Sequence, residues 1–273
     1  MTEWTAFTVE HTDHIAQVTL TGPGKGNAMG PDFWRELPLV FGELDADPQV
    51  RAIVLTGSGK HFSYGLDLQA MYPVFGPLLA DRALAAPRTE FLNDIRRLQA
   101  AVTAVADCRK PVIAAISGWC VGGGLDLIAA ADIRLASAEA TFSLREAKVA
   151  IVADVGSLHR LPGVIGEGHL RELAYTGKDI DATRAERIGL VNDVYPDPAA
   201  VLDAAHALAG EIVANPPLVV QGVKDVLEQP RAGRVADGLR YVSAWNAAFL
   251  PSEDLTEAIQ AVFEKRPPEF TGR

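Results

Sequence analysis

Three carboxylates lie where a carboxylate has little reason to be. Asp126 follows a run of glycines in WCVGGGLDLIAAAD, Glu146 lies in LREAKV, and Asp154 in VADVGS. Their neighbours are largely apolar, and burying an ionised acid is costly unless it is paired or used. Taken singly, each acid is as readily explained by an ion pair with Arg145, Lys148 or Arg160, or, for Asp154, by a helix cap. Taken together, they offer a set of groups able to accept and return protons. The glycines supply a second kind of chemistry. Gly122, Gly123 and Gly124 separate an apolar strand (Val112, Ile113, Ile116) from a small apolar helix (Leu125 to Ala131). Such a junction leaves backbone N–H groups bare where partial positive charge gathers, a place to hold an oxygen anion. Ser63 to Asp67, in HFSYGLDLQAM, repeat the device with Gly65 ahead of another apolar helix start.

Other chemistries are less well supplied. No GxSxG elbow is present, and His159 and His169 stand beside no obvious Ser or Cys. His61 reads as a turn residue. His11, Asp13 and His14 read as a solvated turn rather than a metal site, since no further ligand is near in sequence. TGPGKGNAMGPDF follows a strand but is not GxGxxG, because Asn27 replaces the third glycine, so a dinucleotide fingerprint is not expected. Lys25 in that loop could meet a phosphate, although from the residues alone an ordinary loop is the favoured reading.

These groups must be positioned by the elements around them. Residues 7–10 and 15–20 read as a hairpin, 31–44 as a helix, 51–56 as a strand, and 72–87 as an irregular excursion rich in proline. In residues 88–106, Phe91, Ile95, Leu98, Val102 and Val105 make a helical stripe. Strands follow at 112–116, 133–136 and 141–144. Helices are expected at 166–174 and 183–187, with a turn at Gly177-Lys178 between them, then a strand at 190–195 and a helix at 199–214. The remainder is helical to about residue 263, with breaks at Pro230 and Pro251. Strands and helices alternate and then helices take over. This predicts an α/β core over residues 1–200 and a helical C-terminal region over 201–273.

Composition bounds the rest. The chain has 273 residues, 48% hydrophobic, and a net charge of −10, which disfavours nucleic acid or an anionic membrane as partner. Residues 111–131 are long enough to suggest a membrane span, but their glycines and Asp126 argue against it. Cys108 and Cys120 have no metal or CxxC spacing, which fits a reducing compartment. No secretory signal opens the chain and TGR is no peroxisomal address, so a cytoplasmic protein is expected.

The stretch KPVIAAISGWCVGGGLDLIAAADIRLASAEATFSLREAKV resembles the enoyl-CoA hydratase/isomerase (crotonase) superfamily, as do KGNAM, HFSYGLDLQAM and FEKRPPEF, in the same order along the chain. The resemblance implies a ββα spiral core, a helical C-terminal region that builds trimers or hexamers, an acyl thioester of coenzyme A as substrate, and no separate cofactor or metal. It implies an oxyanion hole made by the amides of Leu66 and Gly123. It also implies a coenzyme A cradle of Lys25, Ala28, Ser63, Gly65, Leu66, Asp67, Leu68, Gly123 and Gly124, with Lys265 reaching the same ligand. The combination GGGLD…E…ADVGSLHRLP, with FWRELP and YVSAWNAAFLPSEDL, is similar to the Δ3,5-Δ2,4-dienoyl-CoA isomerase subfamily. Hydratases usually carry a glycine where Asp154 stands and a glutamate in place of Asp126. The implied mechanism has Glu146 taking a proton from carbon 2, Asp154 delivering one at carbon 6, and Asp126 tuning both. A 2-enoyl-CoA hydratase using Asp126 and Glu146, and a non-catalytic acyl-CoA-binding protein, are the alternatives.

Overall fold

The computed structural model describes residues 3–22, 24–79 and 84–273. The strands with the most continuous apolar sequence lie at the centre of the larger sheet, as two-sided burial requires. β1 (Phe7–Thr12) and β2 (Ile15–Leu20) form an antiparallel hairpin. The parallel strands β3 (Ala52–Gly57), β4 (Val112–Ile116), β6 (Ile133–Ser137) and β9 (Asp193–Tyr195) extend it in the order β1-β2-β3-β4-β6-β9. Successive side chains go to opposite faces. Ile53, Leu55, Val112, Ala114 and Ile116 enter the main core with the helices α1 (Pro31–Ala46) and α3 (Ala85–Asp107). Ala52, Val54, Ile113 and Ala115 face α8 (Pro198–Val213) on the other side, through Val201, Ala205 and Ala209.

A second, smaller sheet carries the loops of interest. Each turn of the chain that leaves the large sheet adds a short strand to it: β5 (Trp119–Val121) pairs parallel to β7 (Thr141–Ser143), which pairs antiparallel to β8 (Asp179–Asp181). Single bridges continue the stack outward, Ser63 to Cys120 and Met29 to Leu66. Strand, strand and helix therefore recur as a spiral, clearest where β4 and β5 lead into α4 (Gly123–Ala129). The C-terminal helices α9 (Pro217–Phe249) and α10 (Glu253–Glu264) follow α8.

Several boundaries differ from the sequence reading. β1 runs on to Thr12, leaving only Asp13 and His14, both at positive φ, to make the turn. The segment read as irregular contains a short helix α2 (Tyr72–Phe75) and a 3-10 turn at Gly76–Leu79, and α3 already starts at Ala85. Pro87 is no obstacle there, because the first turn of a helix needs no donor from it. Residues 80–83 of that excursion lie outside the described residues. Where a turn was expected at residues 177–178, Gly177 takes a left-handed conformation and the chain enters β8, between α6 (Glu167–Thr176) and α7 (Ala182–Arg187). The strand read over 190–195 pairs only from Asp193. The break expected at Pro230 does not occur: α9 runs through it for 33 residues. Pro230 is exposed, so the carbonyl it deprives of a partner can face solvent. No helix among the described residues is long and apolar enough to cross a membrane.

Candidate active site

The loop over 24–29 is fastened by Asn27, a residue that sequence reading used to reject a nucleotide motif and, within KGNAM, to support the resemblance. Asn27 is buried with φ +54°, a conformation Asn tolerates better than most residues. Its Nδ2 donates to the carbonyls of Ser58, His61 and Phe62 at 2.8–3.2 Å, and its Oδ1 accepts from Ser58 Oγ at 2.9 Å. Ser63, expected in the coenzyme A cradle, is fully buried. Its hydroxyl donates to Asn27 O at 2.8 Å and accepts from Gly65 N at 3.0 Å, so it shapes the loop and lines no open surface. Met29 N donates to Gly65 O (2.7 Å) and Asp67 N to Met29 O (3.1 Å). Asp67 Oδ1 accepts from Ala70 N at 2.9 Å.

This bracing sets two main-chain amides side by side. A methyl group placed on Gly123 would lie 3.7 Å from Leu66 N, and one placed on Gly65 would lie 3.0 Å from Gly123 N and 2.5 Å from Val121 O. Gly65, at φ +78°, therefore permits the close approach. Among the described residues neither the Leu66 nor the Gly123 amide donates to a protein acceptor. Two bare donors this close together suit a developing oxyanion. Gly124 is buried behind them against Ser63. Ala28 and Leu68 are half-buried along the same loops, and Lys25 is exposed. Lys265 is exposed as the left-handed cap of α10, three residues beyond Val262, which shares a small apolar space with Leu68.

The three acids come from separate elements. Asp126, on α4, is 1% exposed; its Oδ1 accepts from Ser157 N at 2.6 Å, so it caps α5 (Ser157–Arg160). The cap considered for Asp154 thus belongs to Asp126. Burial raises the Asp126 carboxyl above the ordinary range, against the lowering influence of the Ser157 bonds and of Arg160. Glu146 opens a 3-10 turn, Glu146–Val149, and its carboxyl packs on Gly122, where a methyl group would sit 3.3 Å from Oε1. Its Oε2 is buried with no hydrogen-bond partner. The ion pairs weighed for Glu146 do not form among the described residues; Arg145 turns to Asp179 instead. Burial, then the charges of Asp126 and Asp154, push Glu146 well above its ordinary value.

Asp154 lies in the segment between that turn and α5. Burial raises its pKa to about 7, opposed by a hydrogen bond from Asn246 and assisted by the charge of Asp126. Asn246 Nδ2 is 2.7 Å from Asp154 Oδ2. Asn246 lies in the YVSAWNAAFL stretch used for the resemblance, but nothing in one sequence marks it as a partner for an acid 92 positions away. The mutual effects among the acids place them in one cluster, with Glu146 against the glycine turn that supplies one of the bare amides. Such a cluster cannot carry three full charges near neutrality, so it retains protons to give. No group of three or more His, Cys, Asp or Glu among the described residues is arranged to hold a metal ion.

Comparison with known proteins supplies the chemical context. The profile of the family described as Enoyl-CoA hydratase/isomerase matches residues 10–273. A Dictyostelium discoideum protein named Delta(3,5)-Delta(2,4)-dienoyl-CoA isomerase, mitochondrial, is 41% identical, the match covering 99% of this chain and 92% of its own. An Arabidopsis thaliana protein of the same name, peroxisomal, is 40% identical over 94% of this chain and 92% of its own. The crystal structure of an enoyl-CoA hydratase/isomerase from Mycobacterium paratuberculosis superposes with a TM-score of 0.81 at 31% identity, covering 94% of this chain and 98% of that one. The relatives named as isomerases are mitochondrial or peroxisomal, which overturns the cytoplasmic placement expected from the sequence.

Proposed function

The chain belongs to the enoyl-CoA hydratase/isomerase family, and on that premise we propose that it moves the two double bonds of a 3,5-dienoyl-CoA thioester to the 2,4 positions. The activity is that of an acyl-CoA double-bond isomerase. In our reading the thioester oxygen sits between the amides of Leu66 and Gly123. Glu146 removes a proton from carbon 2, and the electron pair spreads through the diene onto that oxygen. Asp154 then protonates carbon 6 as the pair returns along the chain. One proton leaves and one arrives, so the step calls for no redox cofactor. Each preorganised amide contributes ~3 kcal/mol to the charged intermediate, and each acid–base transfer about 10²–10⁴ in rate. Asp126 acts as a fixed charge that holds the proton on Asp154 near neutral pH and makes ionised Glu146 a stronger base.

The observation that carries this reading is the unpartnered Glu146 Oε2 in one buried cluster with an acid whose pKa is about 7. Hydration would need Asp126 and Glu146 to hold one water between them. Asp126 is committed to Ser157 N and almost wholly buried, which favours isomerisation. The test is side-by-side assay with 3,5-dienoyl-CoA and 2-enoyl-CoA. Appearance of 2,4-diene absorbance with little loss of the enoyl band supports the proposal; rapid water addition without diene formation overturns it.

For the assembly, the same reading proposes a homotrimer or a pair of trimers. Leu218, Val219, Val223, Val226 and Leu227 are 55–82% exposed on the first half of α9, a larger apolar face than a solitary surface helix presents. A cavity of about 1040 Å³ opens beneath it, between Val219, Val223 and the end of α4. Light scattering at micromolar concentration tests it, and a monomer would refute it.

A further inference from the structure

We propose that Asn246 is a positioning residue for the acid Asp154: it pins Oδ2 so that Oδ1 is the oxygen that hands a proton to carbon 6. The inference rests on reading Asp154 as the proton donor. Asp154 belongs to no regular element, so its carboxyl must be oriented by something else. Its main-chain carbonyl accepts from Gln99 Nε2 of α3 at 2.7 Å, and that same amide nitrogen donates to Leu239 O of α9 at 3.0 Å. Gln99 Oε1 is in turn 3.0 Å from Ser243 Oγ. The side chain is held by Asn246, which is 1% exposed. Asn246 Nδ2 has two hydrogens and two acceptors, Val152 O at 2.8 Å and Asp154 Oδ2 at 2.7 Å. Two oxygens around one nitrogen fix the amide's orientation, because the reversed amide would set its oxygen against both. A residue needed only to satisfy Val152 O could leave its second hydrogen elsewhere; here it is aimed at the acid.

The consequence for chemistry follows from donor and acceptor roles. With Oδ2 accepting, the proton of the neutral acid resides on Oδ1. As that proton passes to carbon 6, charge grows on the carboxylate and the Asn246 bond strengthens, since hydrogen bonds to ionised acceptors are the stronger kind. The same bond opposes the rise that burial imposes on Asp154 and so keeps it near the strength useful at neutral pH. The other titratable groups of the cluster are Asp126, which resists ionisation of Asp154, and Glu146, whose own ionisation both aspartates resist, with Arg160 acting on Asp126. Among the described residues the groups acting on Asp154 include no cation.

Deuterium exchange separates the two half-reactions. In D₂O, return of the intermediate to substrate labels carbon 2 through Glu146, whereas diene formation needs Asp154. For Asn246→Ala we expect labelling of carbon 2 within about threefold of wild type, kcat for diene formation down about 10- to 100-fold with KM little changed, and the alkaline limb of the pH profile moved upward. Isomerisation within about twofold of wild type, or equal loss of both half-reactions in a folded protein, would overturn the inference. If the alanine variant does not fold, the isosteric Asn246→Asp decides. Its added carboxyl can donate to Asp154 only when protonated, so activity should recover at low pH and fall as pH rises, and a profile parallel to wild type would refute the proposal. Asp154→Asn in parallel distinguishes the two levels. If that variant isomerises normally, the reading of Asp154 as acid fails; if it is slow while Asn246→Ala is normal, only the present inference fails.

Discussion

Asp154→Asn should slow the enzyme and make it more stable, by an amount that depends on pH. The folded-state pKa is about 7 against an ordinary 3.8, chiefly because the carboxyl is buried. A raised folded value means that the acid imposes no penalty below pH about 3.8 and a growing one as pH rises to 7, after which the penalty is constant. At 1.36 kcal/mol for each unit of pKa, ionising Asp154 costs the fold ~1.7 kcal/mol near pH 5 and ~4 kcal/mol near pH 8. Asparagine carries no charge and can still present an oxygen to Asn246 Nδ2. The variant should therefore exceed wild type in unfolding free energy by an excess that grows by ~2–3 kcal/mol between about pH 5 and pH 8. Urea titrations at the two pH values, at fixed protomer concentration so that assembly contributes equally, measure it. Diene formation by the same samples should fall about 10²- to 10⁴-fold. A stability difference that stays flat with pH would show that Asp154 is not the strained acid described above. Undiminished isomerisation would remove it from the proton path.

Glu146→Gln should abolish carbon-2 labelling in D₂O as well as isomerisation, with a loss of about 10²- to 10⁴-fold in kcat and little change in KM; labelling at the wild-type rate would exclude Glu146 as base. Asp126→Asn keeps an oxygen for Ser157 N but removes the negative charge that raises both Glu146 and Asp154, so both limbs of the kcat profile should move to lower pH. A profile that moves to higher pH would contradict that role. Gly122→Ala puts a methyl group 3.3 Å from Glu146 Oε1 at φ +52°, which should cost ~1–3 kcal/mol of stability and displace the base; unchanged kcat and melting temperature would show that the turn tolerates the methyl group.

Much of this was visible in the sequence because the relevant signals were local. The run of β-branched residues ending in three glycines announced a strand, a turn and a short helix; β4 and α4 are that strand and helix, with the unforeseen strand β5 between them ahead of the turn. The acids stood out because their neighbours were apolar, and the structure buries them. What stayed hidden depends on distant pairing. β5 and β8 are three residues each, too short for periodicity, and form only because each lies against β7, the strand read at 141–144. Asn27 and Ser63 looked like loop residues because their partners lie 31–36 positions away. Pro230 was misread because a proline costs a helix less where the orphaned carbonyl faces water. Cellular placement was misjudged from composition and termini, which the named relatives contradict.

In the proposed site the grip on the substrate oxygen is built without side chains. Leu66 and Gly123 contribute only peptide nitrogen, so ordinary substitutions at either position leave the donors in place provided there is room; only proline deletes one. The carboxyls, by contrast, hang from three unconnected pieces of chain and can be exchanged one at a time. A scaffold so divided can keep hold of one kind of thioester while its proton itinerary is rewritten, residue by residue.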